Sequence, residues 1–174
     1  VLGHVLPGAN LAIFDRHPDR ADELTATARA TPGIADARQA QTARAAVDSA
    51  DVVVTAASFG PTRQVMTNEW LAPDALVVPV DYATYCAAEV ARDAALFLVD
   101  DRGQFVANRD AGLFDDYPDP IATIGEALLE GTRRPPSGRV VVTHLGVGLA
   151  DVVFGAAIVK RAEEARIGRL LPRT

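Results

Sequence analysis

Cysteine occurs once in 174 residues, at Cys86. That excludes an internal disulfide and suits the reducing conditions of the cytoplasm. Basic residues are outnumbered, 17 Lys and Arg against 23 Asp and Glu, giving a net charge of −6 and an isoelectric point near 5.0. With no long basic run to offset that balance, nucleic acid and anionic membrane surfaces are disfavoured as partners. No apolar stretch is long enough to cross a bilayer, and the front of the chain lacks the basic-then-apolar layout of a signal peptide. An initiator methionine is also missing, so Val1 reads as a processing site or the edge of a fragment. No internal repeat and no clear linker divides the chain.

What is present is an ordinary globular composition, 49% hydrophobic and 23% charged, long enough for one domain with a substantial core. Val1–Leu6 reads as the tail of a helix ended by Pro7-Gly8. Leu11–Phe14 is an apolar strand closed by Asp15, and Pro18 stands ready to open the helix Asp19–Ala30. A weak strand over Ala35–Ala40 and a short helix over Thr42–Asp48 follow. Asp51–Thr55 lies in a β-branched run apolar enough to want burial on both faces, which favours a parallel sheet. Asn68–Leu71 forms a turn or short helix. Ala75–Val80 is the next strand, Tyr85–Arg92 a helix, Leu96–Asp100 a strand and Asp101–Asn108 a short helix or loop. After the acidic loop Leu113–Pro120, a helix over Ile124–Glu130 leads to the connector Arg133–Gly138. Arg139–Thr143 is the last strand, and Leu149–Arg166 is a long helix with Gly168 just beyond it. Strands alternating with helices predict a doubly wound α/β sheet, mostly parallel and Rossmann-like.

In such sheets ligands bind outside the carboxyl ends of the strands. Asp15 ends the first whole strand, where a carboxylate accepts hydrogen bonds from an adenosine ribose; it also suits a solvent-facing acid at a helix start, beside Arg16 or Arg20. Arg16, His17 and Arg20 could cradle a 2′-phosphate, which would favour NADP, but Asp15 would repel that phosphate, so NAD is favoured. Thr55, Ala56, Ala57 and Ser58 lie at the end of another strand, where small side chains let a cofactor approach the backbone, or simply make a tight corner. Asp81 follows an apolar strand, as a general acid–base group or as a loop acid capping what comes next.

Other constellations point away from chemistry. Asp100, Asp101, Asp115, Asp116 and Asp119 match no metal-binding loop and read as solvated acids. His4, His17 and His144 have no Cys or His partner at zinc spacing. Cys86 has no adjacent base, and no Gly-x-Ser-x-Gly elbow is present. Gly146-Val147-Gly148 imitates a phosphate-binding turn. Asp151, however, replaces the third glycine, and no strand follows to supply a ribose acid.

Taken together, Ser49–Ser58, Glu69-Trp70-Leu71-Ala72-Pro73-Asp74-Ala75, the post-strand Asp81 and the ending Gly146-Val147-Gly148-Leu149-Ala150-Asp151 resemble the ornithine cyclodeaminase/mu-crystallin family. Ala157, Arg161-Ala162 and Ile167-Gly168 extend the likeness over nearly the whole chain. The resemblance implies a Rossmann domain joined to a substrate and dimerisation domain. It also implies NAD or NADP as cofactor, an amino or imino acid as substrate, and a homodimer. Some members, the cyclodeaminases, recycle the hydride while losing ammonia. By the same resemblance Asp15 is the ribose acid with Arg16 beside it, Thr55–Ser58 the loop along the cofactor, Asp81 the catalytic acid, and Leu145-Gly146 the turn near the nicotinamide. Residues 1–174 then make a partial domain lacking the first strand and glycine-rich loop, without measurable catalysis alone. Its last helix, 153–174, returns to the substrate and dimerisation domain. Two departures are visible. Asp81 is followed by Tyr82-Ala83-Thr84-Tyr85 in place of Pro-Gly-Lys, and His144 stands where Ser is common.

Overall fold

A computed structural model describes residues 2–58 and 64–169. The elements run α1 (Leu2–Val5), β1 (Ala9–Ile13), α2 (Pro18–Arg29), β2 (Ile34–Gln39), α3 (Ala43–Val47), β3 (Val52–Thr55) and β4 (Leu76–Pro79). They continue with α4 (Ala88–Arg92), β5 (Leu96–Val99), α5 (Arg102–Asp110), β6 (Ala122–Thr123), α6 (Ile124–Leu129), β7 (Val140–Thr143) and α7 (Gly148–Glu164). The last residues of the expected terminal helix, 170–174, lie outside the described residues.

Five strands form one parallel sheet in the order β3-β4-β7-β5-β6. Their sequences explain it: Val-Val-Val-Thr, Leu-Val-Val-Pro and Leu-Phe-Leu-Val are β-branched or apolar at nearly every position, and β5 is buried along its whole length. Such strands need cover on both faces. On one face α4, α5 and the segment after α5 bring Phe105, Phe114 and Tyr117 against Phe97. The Phe105 and Phe114 rings sit 4.9 Å apart and the Phe114 and Tyr117 rings 5.3 Å apart. On the other face α6 packs Ala127 and Ile124 over Leu96, Leu98 and Val140. The starts of α3, α5 and α6 are capped by side chains. Asp101 accepts the Gln104 amide at 2.6 Å, and Thr123 with Glu126 forms a reciprocal capping box for α6.

β1 and β2 make a separate two-stranded parallel sheet. The sequence suggests one sheet, but the structure has two, because among the described residues no strand pairs with the second edge of β1 or of β3. The smaller unit is built from small residues: Ala21, Thr25, Ala28, Ala37 and Ala40 are its buried side chains. Backbone contact substitutes for bulk there. Gly33 adopts φ +88° and lies against Gly3 of α1, so a β-carbon on Gly33 would overlap the Gly3 carbonyl oxygen. α3 joins the two units, with Val47 resting on the larger core and Arg44 stacked over Trp70 at 5.9 Å.

Several boundaries differ from expectation. The helix expected over Tyr85–Arg92 begins only at Ala88, because Tyr85 and Ala87 are spent on Met66: its amide donates to the Tyr85 carbonyl at 2.8 Å, and its carbonyl accepts from Ala87 at 3.0 Å. β2 is a full strand although it reads weakly, since Asp36 and Arg38 face outward and only Ala37 is buried. α7 is a regular helix, yet none of its residues is buried.

Candidate functional site

The parallel register aligns the strand ends. Thr55 lies opposite Pro79, and Val99 opposite Thr143, so the residues that follow β3, β4, β5 and β7 gather along one rim. Thr55–Ser58, Asp81 and Leu145–Gly146 meet there. The sheet's topology is what gathers them, because they are far apart in sequence.

Asp81 is 3% exposed, and both of its oxygens are engaged. The Thr55 hydroxyl donates to Oδ1 at 2.7 Å and the Ala57 amide to Oδ2 at 2.9 Å. The carboxylate thus fixes the loop after β3, with Ala56, Ala57 and Ser58 exposed above it. Burial, and then the Asp81 charge, raise the Tyr85 hydroxyl above its ordinary range. Cys86 is pushed up to about 12, chiefly by burial, so its thiol stays protonated and is no nucleophile at neutral pH.

The turn after β7 is gripped from several sides. The amides of Leu145 and Gly146 both donate to Asp100 Oδ2, at 2.9 and 2.8 Å. The Leu145 carbonyl accepts from the Tyr82 hydroxyl at 3.3 Å and the Gln104 side chain at 3.5 Å. Gly146 is required by its φ of +83°, not by crowding, since a β-carbon there would meet nothing. The His144 amide donates to the Pro79 carbonyl at 3.1 Å, tying the turn to β4. Asp100 is the rim residue that sequence reasoning missed, having counted it among solvated acids. Its signal was its place directly after an apolar strand, much as Asp81 follows β4 one residue further on.

Asp15 and Arg16 lie elsewhere, at the end of β1. They line a cavity of about 320 Å³ with Phe14, Pro18, Gln39, Ala40 and Gln41. Asp15 is half-buried and accepts the His17 amide at 2.7 Å, while exposed Arg16 donates to the His17 ring at 3.1 Å. The Asp15 carboxylate thus borders an open cavity of mixed polar and apolar lining. A second cavity, about 260 Å³, is an apolar trough between α6 and the sheet, lined by Leu76, Leu96, Leu98 and Val140, away from the rim. Among the described residues no three His, Cys, Asp or Glu side chains come together as a metal site, and no helix is long and apolar enough to cross a membrane.

A parallel sheet with helices on its faces and a loop-built rim at its carboxyl ends is a Rossmann-like fold. It is the fold seen in proteins of the ornithine cyclodeaminase/mu-crystallin type, as the sequence resemblance implied. No protein-family model matches the chain. In sequence it is similar to the nodulation efficiency protein NfeD of Rhizobium meliloti, 29% identical over 177 residues, covering 98% of this chain and 53% of that protein. The chain therefore spans about half the length of this curated relative. In structure it is similar to the Thermococcus litoralis Δ1-pyrroline-2-carboxylate reductase in complex with NADH and L-proline. The TM-score is 0.76 at 17% identity over 93% of this chain and 53% of that one. An archaeal alanine dehydrogenase dimer with bound NAD gives 0.73 at 20% identity, over 95% and 53% of the two chains. A probable ornithine cyclodeaminase from Bordetella pertussis Tohama I gives 0.62 at 21%, over 97% and 65%. At these identities the likeness fixes the fold and not the reaction.

Proposed function

We propose that this chain is the cofactor-binding portion of a nicotinamide-dependent oxidoreductase acting on an amino acid or its imine, with NAD favoured over NADP. The observation that carries this reading is the convergence of Thr55–Ser58, Asp81 and Leu145–Gly146 on one rim, with Asp15 at a separate adenosine-sized cavity. The NADH, NAD and amino-acid ligands of the solved neighbours support it. Asp15 would hold the ribose, Arg16 would flank it, and the exposed backbone of Ala56–Ser58 and Gly146 would lie along the cofactor. The nicotinamide supplies hydride transfer to or from the substrate carbon; the protein orients that carbon and handles protons.

Asp81 enters as the acid carried over from the family resemblance. In the described conformation its carboxylate holds the loop after β3 through the Thr55 hydroxyl and the Ala57 amide. A homodimer is part of the same reading.

The deciding experiment uses the intact gene product. NADH binding is followed by fluorescence, and oxidation of L-proline, L-alanine and L-ornithine is assayed with NAD and with NADP. Binding of NADH, weakened about ten- to a hundred-fold in D15A, is expected from the loss of a charged acceptor worth roughly 1.5–3 kcal/mol. An intact protein with no NADH affinity, or with none of the three amino acids turned over, would reject the reading. A storage or ligand-binding protein would instead bind cofactor and be indifferent to D81N.

A further inference from the structure

We propose that His144, aimed by Asp100, exchanges a proton with the nitrogen of the substrate. The inference rests on the function proposed above and adds a group that the family resemblance does not supply, because Ser is common at this position.

Three observations meet at His144. It stands at the carboxyl end of β7, between the ends of β4 and β5 and next to the Leu145–Gly146 turn. Its side chain is 51% exposed, and its Nδ1 faces Asp100 Oδ2 at 3.7 Å, an oxygen whose own side chain is only 7% exposed. The backbone on both sides of the ring is fixed, by the His144 amide on Pro79 and by the Leu145 and Gly146 amides on Asp100. The Asp100 carboxylate lies on the Nδ1 side of the ring, so Nε2 is the nitrogen left for a partner.

Asp81 is buried and holds the loop after β3 through the Thr55 hydroxyl and the Ala57 amide, whereas His144 is half-exposed at the rim. Ionisable groups lie at the adjoining strand ends: Asp100 and Asp101 after β5, and Asp81 and Tyr82 after β4. Asp151 belongs to the first turn of α7. Asp101 is occupied with capping α5, and Tyr82 with the Leu145 carbonyl.

In the oxidative direction the substrate ammonium gives one proton to Nε2. The freed nitrogen lone pair would then be available for the C=N bond, acceptance of hydride from the α-carbon being the chemistry a bound nicotinamide would supply, and the imidazolium would return its proton to water. Reduction of an imine runs the same steps in reverse. Asp100 acts as a positioning residue throughout.

The test compares the intact wild-type protein with H144A, D100N and D81N, using the amino acid that the panel above selects. For H144A, NADH binding should stay within about threefold of wild type while kcat falls roughly 10²- to 10⁴-fold, the usual contribution of a proton-transfer group. The acid limb of its pH profile should vanish, and added imidazole should restore part of the turnover. D100N should lower kcat about tenfold with the acid limb kept, and imidazole should not help it, since the ring is still present. An H144A protein with near-normal turnover and an unchanged acid limb would overturn the proposal, as would one whose NADH affinity collapses together with its activity. A wild type that binds no NADH, or turns over no member of the panel, would sink the parent reading and this one with it.

Discussion

The two sheets of this chain are made of different materials. Around β1 and β2 the buried side chains are alanines and a threonine, and a glycine–glycine contact brings the backbones together. Around the five-stranded sheet the core holds Phe97, Phe105, Phe114, Met66 and a layer of valines, all nearly inaccessible to solvent. A buried Phe or Val stabilises by about 1.5–3 kcal/mol, and an Ala methyl by a fraction of that. The larger unit therefore carries most of the stability and holds the turn where chemistry is proposed. The smaller one carries the cavity beside Asp15 on a framework with little apolar burial. Regions of that kind open locally first. A strong unit thus carries the proposed reaction centre and a weaker one the proposed cofactor handle.

The strongest way to break that comparison is F97A. Removing a fully buried ring next to Phe105 and Tyr117 should cost about 3–5 kcal/mol in a urea melt. Hydrogen exchange should then quicken in β3, β4, β5 and β7 and leave β1 and β2 near their starting rates. Equal loss of protection in both sheets would mean that they unfold as one unit. The converse change, G33A, places a β-carbon at φ +88° against the Gly3 carbonyl. Left-handed backbone alone costs about 1–2 kcal/mol, and the lost protection should be confined to α1, β1, α2 and β2.

A smaller effect sharpens the comparison on the side of the larger core. Burial holds the folded Cys86 thiol at about 12, against 9.0 when exposed. Because the unfolded chain gives up this proton first, stability is unaffected below about 9 and falls as pH climbs from there towards 12. Thermal melts of C86A should show a shallower alkaline decline than wild type. An unchanged slope would place the loss on other groups, the buried Tyr117 hydroxyl first among them, whose proton burial also holds more tightly.

Much of the larger sheet was legible in the sequence because its strands are apolar on both faces, so that runs such as Val52–Thr55 and Val140–Thr143 admit no other reading. β2 reads weakly for the opposite reason, its alternation being carried by one buried alanine. The two-residue β6 gives no periodic signal at all. The late start of α4 depends on Met66, a partner many residues upstream that no local pattern reveals. The gathering of Thr55–Ser58 and Asp81 was half legible, as residues at strand ends. That Asp81 binds Thr55 and Ala57 was not, since both orientations of a post-strand acid look alike in one dimension. Leu145-Gly146 came from family resemblance rather than from spacing, and Asp100 was hidden by its acidic neighbours.

α7 has a consequence of a different kind. None of the 17 residues of this helix is buried, and Leu149, Val152, Phe154 and Ile158 each expose two thirds or more of their surface. Tertiary packing ordinarily decides whether a helix of this length persists, and in water an isolated one is marginal. Gly155 in its middle subtracts about 1 kcal/mol more. Covering this face would consequently shift the helix–coil equilibrium of α7 towards helix. The ellipticity of the protein at 222 nm then reports occupancy of that surface, rising as a cover is supplied and falling as it is diluted away.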